Sequence, residues 1–234
     1  MNRQPPDRFV TAGRCYDPGM TASQRNVPVA LESGYRRFRV GRYADERQRY
    51  RELGEGTQRP ATMVIACSDS RSAPETIFDA GPGELFVVRN VAALVPEYAP
   101  DSAAHGASAA LEYAVLALGV SSIVVLGHGR CGGIAAAHAE EAPLSTTDFI
   151  GTWVAGIRNL VPAARAAVGD DKAALQLALE RASVERSMAN LRTFPWIRSR
   201  EADGRLRTSG AWFDIALGEL HAHGRDGWRR VAAD

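Results

Sequence analysis

Long apolar runs are missing from this sequence. No stretch of its 234 residues approaches the roughly 20 consecutive apolar positions that a membrane-crossing helix needs. The first residues, MNRQPPDRFVTAGRCYD, lack the continuous hydrophobic segment of a secretory signal. A cytoplasmic protein with no membrane partner is therefore expected. Charge of one sign is lacking too: 28 Lys and Arg stand against 27 Asp and Glu, a net charge of +1. No global field exists to hold a polyanion, so nucleic acid is not expected as a partner. Cysteine is scarce and odd in number, three in all, which does not make a disulfide framework. Thiols in a reducing compartment serve instead as metal ligands, nucleophiles or buried filler. Internal repeats are absent, and so is low complexity beyond an enrichment in alanine.

What is present is the 45% apolar content of an ordinary globular chain, enough for one sizeable core. Residues 1–26, rich in Pro, Gly and Arg and without an apolar period, read as a loose N-terminal arm. Residues 27–234 read as a single α/β domain. At its start, residues 27–54 carry Leu31, Tyr35 and Phe38, then Tyr43, Tyr50 and Leu53, at helical spacing, interrupted near Gly41. Two amphipathic helices are expected there, packing on a partner subunit as a dimerisation arm.

Three short apolar runs of strand length follow: ATMVIACSDSR after Pro60, GELFVVRNV from Gly83, and SSIVVLGHGRCGG from Ser121. Between the last two, Asp101 to Leu118 reads as a helix, with Leu111, Ala114, Val115 and Leu118 on one stripe and Gly119 as its stop. A further helix is expected from Ile134 to Glu140, mostly helical chain from Asp148 to Leu191 broken near Gly169, and a final strand in GAWFDIALGEL. Strands that are apolar throughout, alternating with helices, predict an α/β fold: a mainly parallel central sheet flanked by helices, with the helical arm before it.

In such sheets ligands gather outside the carboxyl ends of the strands. Cys67 sits at one such end, and His128 and Cys131 at another, so adjacent strands would bring two thiols and an imidazole together. That soft nitrogen-and-sulfur set suits Zn²⁺, and three protein ligands leave a fourth tetrahedral position for water. Cys15, in the loose arm, has no histidine near it. Asp69 and Arg71, in CSDSR, can form a charge-assisted fork that keeps the carboxylate ionised. An ionised carboxylate only accepts hydrogen bonds, so beside a metal it favours a fourth ligand able to donate one. Gly127, Gly129, Gly132 and Gly133 are expected to let the chain turn sharply, with amides free to bond the sulfurs. On these residues alone a metal-free Cys67–His128 nucleophile pair, or a zinc-stabilised binding protein without catalysis, remains open.

CSDSR together with HGRCGG closely resembles the β-class carbonic anhydrases, and the likeness continues through PGELFVVRNVAALV, ALEYAVLALG, NLRTFPWI and GAWFDIALGEL. The resemblance implies reversible hydration of CO2 to bicarbonate, with Cys67, His128 and Cys131 as zinc ligands and Asp69–Arg71 as the catalytic dyad. It implies a homodimer or a dimer-based tetramer. Gln58, Phe86, Val91, Tyr113 and Gly132 match substrate-pocket positions of the plant-type branch, in which Gln58 and Tyr113 would come from the partner chain. Two positions depart. Val64 stands where the bicarbonate-inhibited branch has Trp, and Ala117 where plant members have a proton-exporting His. A related activity, hydrolysis of carbonyl sulfide or carbon disulfide at the same zinc, is the alternative.

Overall fold

The structure is a computed structural model and describes residues 27–101, 103–139 and 142–232. Cys15 and the arm expected over residues 1–26 lie outside the described residues. Contacts divide the chain into two units, one ending at Glu55 and one beginning at Gly56.

The described residues of the first unit are helical: α1 (Val29–Val40), α2 (Arg42–Asp45) and α3 (Arg47–Glu55). The expected pair of helices is thus three pieces. The break at Gly41 is where the spacing placed it, and a second falls at Glu46. Phe38, Tyr43 and Tyr50 gather with ring centroids 5.2–5.8 Å apart, and the Arg39 guanidinium lies 4.3 Å from the Tyr43 ring. No residue of these helices is buried. Leu31, Tyr35 and Val40 are exposed.

The second unit runs β1 (Thr62–Cys67), α4 (Pro74–Ile77), β2 (Leu85–Asn90), a 3₁₀ turn at Val91–Ala93, α5 (Gly106–Glu112) continuing as a π-helical turn through Leu118, β3 (Ser122–His128) and α6 (Gly132–His138). It continues as α7 (Phe149–Trp153), α8 (Ala155–Arg158), α9 (Val161–Val168), α10 (Lys172–Leu191), α11 (Pro195–Ala202), β4 (Arg207–Asp214), β5 (Glu219–Gly224) and β6 (Gly227–Arg230). The six strands form one sheet in the order β2-β1-β3-β4-β5-β6, parallel from β2 to β4 and antiparallel beyond. The mainly parallel sheet with flanking helices is the expected architecture.

Alternation along β1 sorts its side chains onto the two faces of the sheet. Met63 and Ile65 join Leu111, Val115, Ile123, Leu191, Phe194 and Ile197 in one core. Val64 and Ala66 join Leu126 and Ala211 in another, against Ile77 and Phe78. Each fully buried aliphatic side chain of this size contributes about 1.5–3 kcal/mol. Packing of α10 on the sheet depends on two glycines, because a Cβ on Gly127 would lie 2.6 Å from Val184 Cγ2 and one on Gly210 2.6 Å from Met188 Sδ.

Four local expectations need correction. The helix expected from Asp101 begins at Gly106, because the Asp101 carboxylate accepts from the Ala103 amide and pairs with His105 at 2.6 Å, a local turn that competes with helix. It stops at Gly119, in the left-handed region at φ +69°, as expected. The helix expected over 134–140 occupies Gly132–His138. The second strand, expected to be buried, lies at the sheet edge and is half-buried. GAWFDIALGEL is not one strand but a hairpin: Asp214 accepts from the amides of Ala216 and Leu217, Gly218 adopts φ +68°, and the chain returns as β5.

Candidate metal centre

Cys67 closes β1, His128 closes β3, and Cys131 precedes α6, so two neighbouring parallel strands and the turn after β3 deliver three buried ligand atoms to one point. Those atoms all lie within 4.8 Å of one another. The sulfurs of Cys67 and Cys131 are 3.8 Å apart. Two sulfurs each about 2.3 Å from one ion at a tetrahedral angle would be separated by about 3.8 Å, so the pair has the spacing of zinc ligands. His128 completes the set. Its Nδ1 is bonded to Gly129 O at 2.9 Å, which leaves Nε2 for the cluster, and Nε2 is buried with no hydrogen-bond partner. A buried ring nitrogen in that state lacks its partner, and a metal ion supplies one.

The electrostatics suit a cation site. The Cys67 thiol is pulled down by the bond from Cys131, with help from His128 and the backbone amides of Asp69 and Ala92, against burial. Cys131 is pushed up because it gives that bond and because it is buried. His128 is raised: burial opposes its charge, but Cys67, Gly129 O and Asp69 outweigh it. The Ala92 amide donates to Cys67 Sγ at 3.3 Å, and the amides of Ile134 and Gly133 act on Cys131 Sγ.

Asp69 and Arg71 form the fork expected of them. Arg71 Nε and its backbone amide both donate to Asp69 Oδ1 at 2.9 Å, and Arg71 Nη2 donates to Oδ2 at 2.8 Å. Those bonds hold the Asp69 carboxyl well below the usual carboxylate range. Its Oδ2 lies 4.0 Å from His128 Nε2, at the edge of the ligand cluster. Arg89 donates from Nε to Cys67 O at 2.8 Å and from Nη2 to Asp69 O at 2.5 Å, which pins the loop between them. Asn90 exchanges two bonds with the Leu94 backbone, at 2.9 and 2.8 Å, and braces the turn that carries Ala92.

The glycines of GHGRCGG meet half of the expectation, since the Gly133 amide bonds Cys131 Sγ, but the turn does not rest on their φ angles. None of Gly127, Gly129, Gly132 and Gly133 has a positive φ; the left-handed residue is Arg130, at φ +57°. Gly133 matters for closeness instead, since a Cβ there would lie 2.5 Å from Val91 Cγ1. Gly132 opens α6 with clear space above it.

The matched pocket residues fall into two groups. Val91 and Gly132 stand at the carboxyl end of the sheet with the cysteines, where Val91 O accepts from Trp153 Nε1 at 2.7 Å. Gln58 precedes β1, and Phe86 pairs with Met63 near the start of that strand. Tyr113 lies with its ring 6.0 Å from Phe86. Gln58 and Tyr113 line a depression of about 850 Å³ with Ala117, Leu118 and Gly119. That depression is at the amino end. Sequence reading also missed Glu180, a buried acid of α10 that accepts from the Cys131 amide at 3.0 Å.

Residues 62–220 match the family model described as carbonic anhydrase. The chain is 32% identical over 209 residues to β carbonic anhydrase 5, chloroplastic, of Arabidopsis thaliana, covering 85% of this chain and 68% of that one. It is 38% identical over 189 residues to a carbonic anhydrase of Pseudomonas aeruginosa, covering 81% and 84%. Among solved structures it is similar to the β-carbonic anhydrase CcaA, with a TM-score of 0.79 at 30% identity over 87% of this chain and 98% of that one. One of two tetrameric β-carbonic anhydrases of Sordaria macrospora gives 0.70 at 29% identity, over 87% and 97%. With its fold, its Cys67–His128–Cys131 cluster and these relatives in agreement, the chain belongs to the β-class carbonic anhydrase family and is an enzyme of that class.

Proposed function

We propose that this chain catalyses the reversible hydration of CO2 to bicarbonate and a proton at a zinc ion held by Cys67 Sγ, His128 Nε2 and Cys131 Sγ. The observation that carries the reading is the unpartnered, buried Nε2 of His128 set against two sulfurs at zinc-ligand spacing. When bound there, zinc supplies Lewis acidity strong enough to bring the pKa of a water molecule down to about 7.

The protein groups do the rest. Asp69, kept ionised by Arg71, has Oδ2 at the edge of the ligand cluster and can only accept, so it selects and orients a nucleophile that donates a hydrogen bond. Arg89 and Asn90 hold the two loops on which this geometry depends. The oxygen of water adds to the carbon of CO2 as one C=O π bond opens, the product leaves as bicarbonate, and the proton lost by that water passes to solvent.

The substrate pocket is shared between subunits. Val91 and Gly132 line it from the chain that holds the metal, while Gln58, Phe86 and Tyr113, at the far end of their own sheet, line it in a neighbour. The Sordaria macrospora relative is tetrameric, and a homodimer or dimer-based tetramer is the assembly we assign here. The helices ending at Glu55, with no buried residue of their own, supply an interface. A stopped-flow CO2 hydration assay with zinc determination on the same sample tests the function: one zinc per chain with rapid hydration is expected, and zinc-loaded protein without hydration would refute it.

A further inference from the structure

Glu180 lies in the middle of α10 at 2% exposure, and its partners are neutral N–H donors. Its Oε1 accepts from the Cys131 amide at 3.0 Å and from Gln176 Nε2 at 2.7 Å, and its Oε2 accepts from Trp212 Nε1 at 3.1 Å. Burying a carboxylate costs several kcal/mol unless its lone pairs are met. A leucine would fill such a helix position without that cost, so the carboxylate calls for a reason.

Its place in the bonding pattern supplies one. Gln176 Nε2 also donates to Cys131 O at 3.1 Å, so α10 holds both backbone groups of a metal-ligand candidate. The peptide joining Arg130 to Cys131 is gripped from both sides. Its N–H goes to Glu180 on the buried side, and its C=O accepts from Arg71 Nη2 at 3.2 Å on the open side. That same Nη2 bonds Asp69 Oδ2. Arg130 meanwhile holds a left-handed backbone, φ +57°, which a residue with a Cβ adopts only under outside constraint.

We propose that Glu180 is a positioning residue of the metal centre: by anchoring the Arg130–Cys131 peptide against Arg71, it sets the Cys131 sulfur and the Asp69 carboxylate relative to each other. The inference rests on the zinc reading above. One carboxylate, remote from substrate, thereby governs both metal retention and the aim of the dyad.

The test loads wild type, Glu180→Met and Glu180→Gln with zinc and follows its release to a chromogenic chelator. The thiolate-to-metal absorption of the Co²⁺-exchanged proteins, and kcat and KM for CO2, are measured beside it. Glu180→Met offers the Cys131 amide only a weak thioether acceptor in place of a carboxylate. It should release zinc about 10–100-fold faster, shift the Co²⁺ band and lower kcat more than it changes KM. Glu180→Gln keeps an amide oxygen for the Cys131 N–H but turns its NH2 toward the Trp212 N–H, so it should melt lower while its zinc release stays within about threefold of wild type. A folded Glu180→Met that melts lower but releases zinc at the wild-type rate, with an unshifted band, would reduce Glu180 to core packing and overturn the proposal. If that variant does not fold, Gln176→Leu, which removes the Nε2 bonds to Cys131 O and to Glu180 Oε1 while Ala135 still donates to Cys131 O, decides it: faster release supports the role and an unchanged rate overturns it. Failure of the zinc reading looks different, because the wild type itself would then retain no zinc.

Discussion

The two ends of the central sheet both carry residues that match the family, yet only the carboxyl end brings its residues into a closed cluster within one chain. At the carboxyl end, Cys67, Asp69, Arg71, Asn90, His128 and Cys131 are each fixed by bonds within one chain, and the three ligand candidates among them, Cys67, His128 and Cys131, are buried. At the amino end, Gln58 is exposed and Tyr113 is half-exposed beside an open depression. The six residues of β1, from Thr62 to Cys67, hold these ends about 17 Å apart at strand rise, with Gln58 further back still. The metal-ligand candidates converge within one chain. On the shared-pocket reading proposed above, the amino-end residues are completed by a neighbour.

The largest effect should come from breaking the closed cluster. Cys67→Ser, His128→Ala or Cys131→Ser leaves two good ligands where three are needed, and each should cost both zinc and hydration. Atomic absorption with stopped-flow kinetics reads both, and full zinc with full rate in any of the three would contradict the assignment. Next in size is Asp69→Asn. Its amide can donate as well as accept, so the nucleophile loses its orientation, and hydration should fall roughly 100-fold or more with zinc retained. Were Asp69→Asn to turn over like the wild type, the fork with Arg71 would be structural alone.

The carboxyl end was also the more legible one. β1 and β3 are buried on both faces, so their sequences are continuous apolar runs, and the residues that follow them are at the sheet's ligand end by topology. Cys67, His128 and Cys131 could be placed there before any geometry was known. Glu180 could not, because LALERASVERS looks like any charged stretch of helix and nothing local marks which acid turns inward. The β4–β5 hairpin was read as one strand because Ile215 and Leu217 prolong the apolar run; the reversal depends on Asp214 bonding two amides ahead of Gly218, a turn written in side-chain bonds. Likewise glycine-rich HGRCGG reads as a turn made by its glycines, while the left-handed residue is Arg130, whose following peptide is held by Glu180 of α10 and by Arg71.

Complementation sharpens the contrast between the ends. Gln58→Ala combined with Tyr113→Ala should keep its zinc and lose about 10-fold in rate, the worth of a lost substrate bond and its wall. Cys67→Ser should be inactive. Co-expressed in equal amounts, the two chains form mixed dimers in which an intact metal end from one faces an intact amino end from the other. Random pairing then restores about a quarter of the wild-type rate. Activity no higher than the average of the two separate variants would mean that each pocket is complete within its own chain.

The smallest effect expected is none at all, and it concerns Val64, at the position where the bicarbonate-inhibited branch has Trp. Val64 is 1% exposed in mid-β1, packed with Ala66, Leu126 and Ala211 against Ile77 and Phe78. A bicarbonate ion lodged there would give up its water for apolar side chains, at a cost of several kcal/mol with no donor to offset it. Hydration should therefore show ordinary product inhibition, with rate falling hyperbolically as bicarbonate is added at constant pH and ionic strength. A sigmoidal fall would reveal an anion site near β1 coupled to the metal end. Val64→Trp is the control: the ring has no space in this cluster, so overpacking should cost about 1–3 kcal/mol of stability without creating cooperative inhibition.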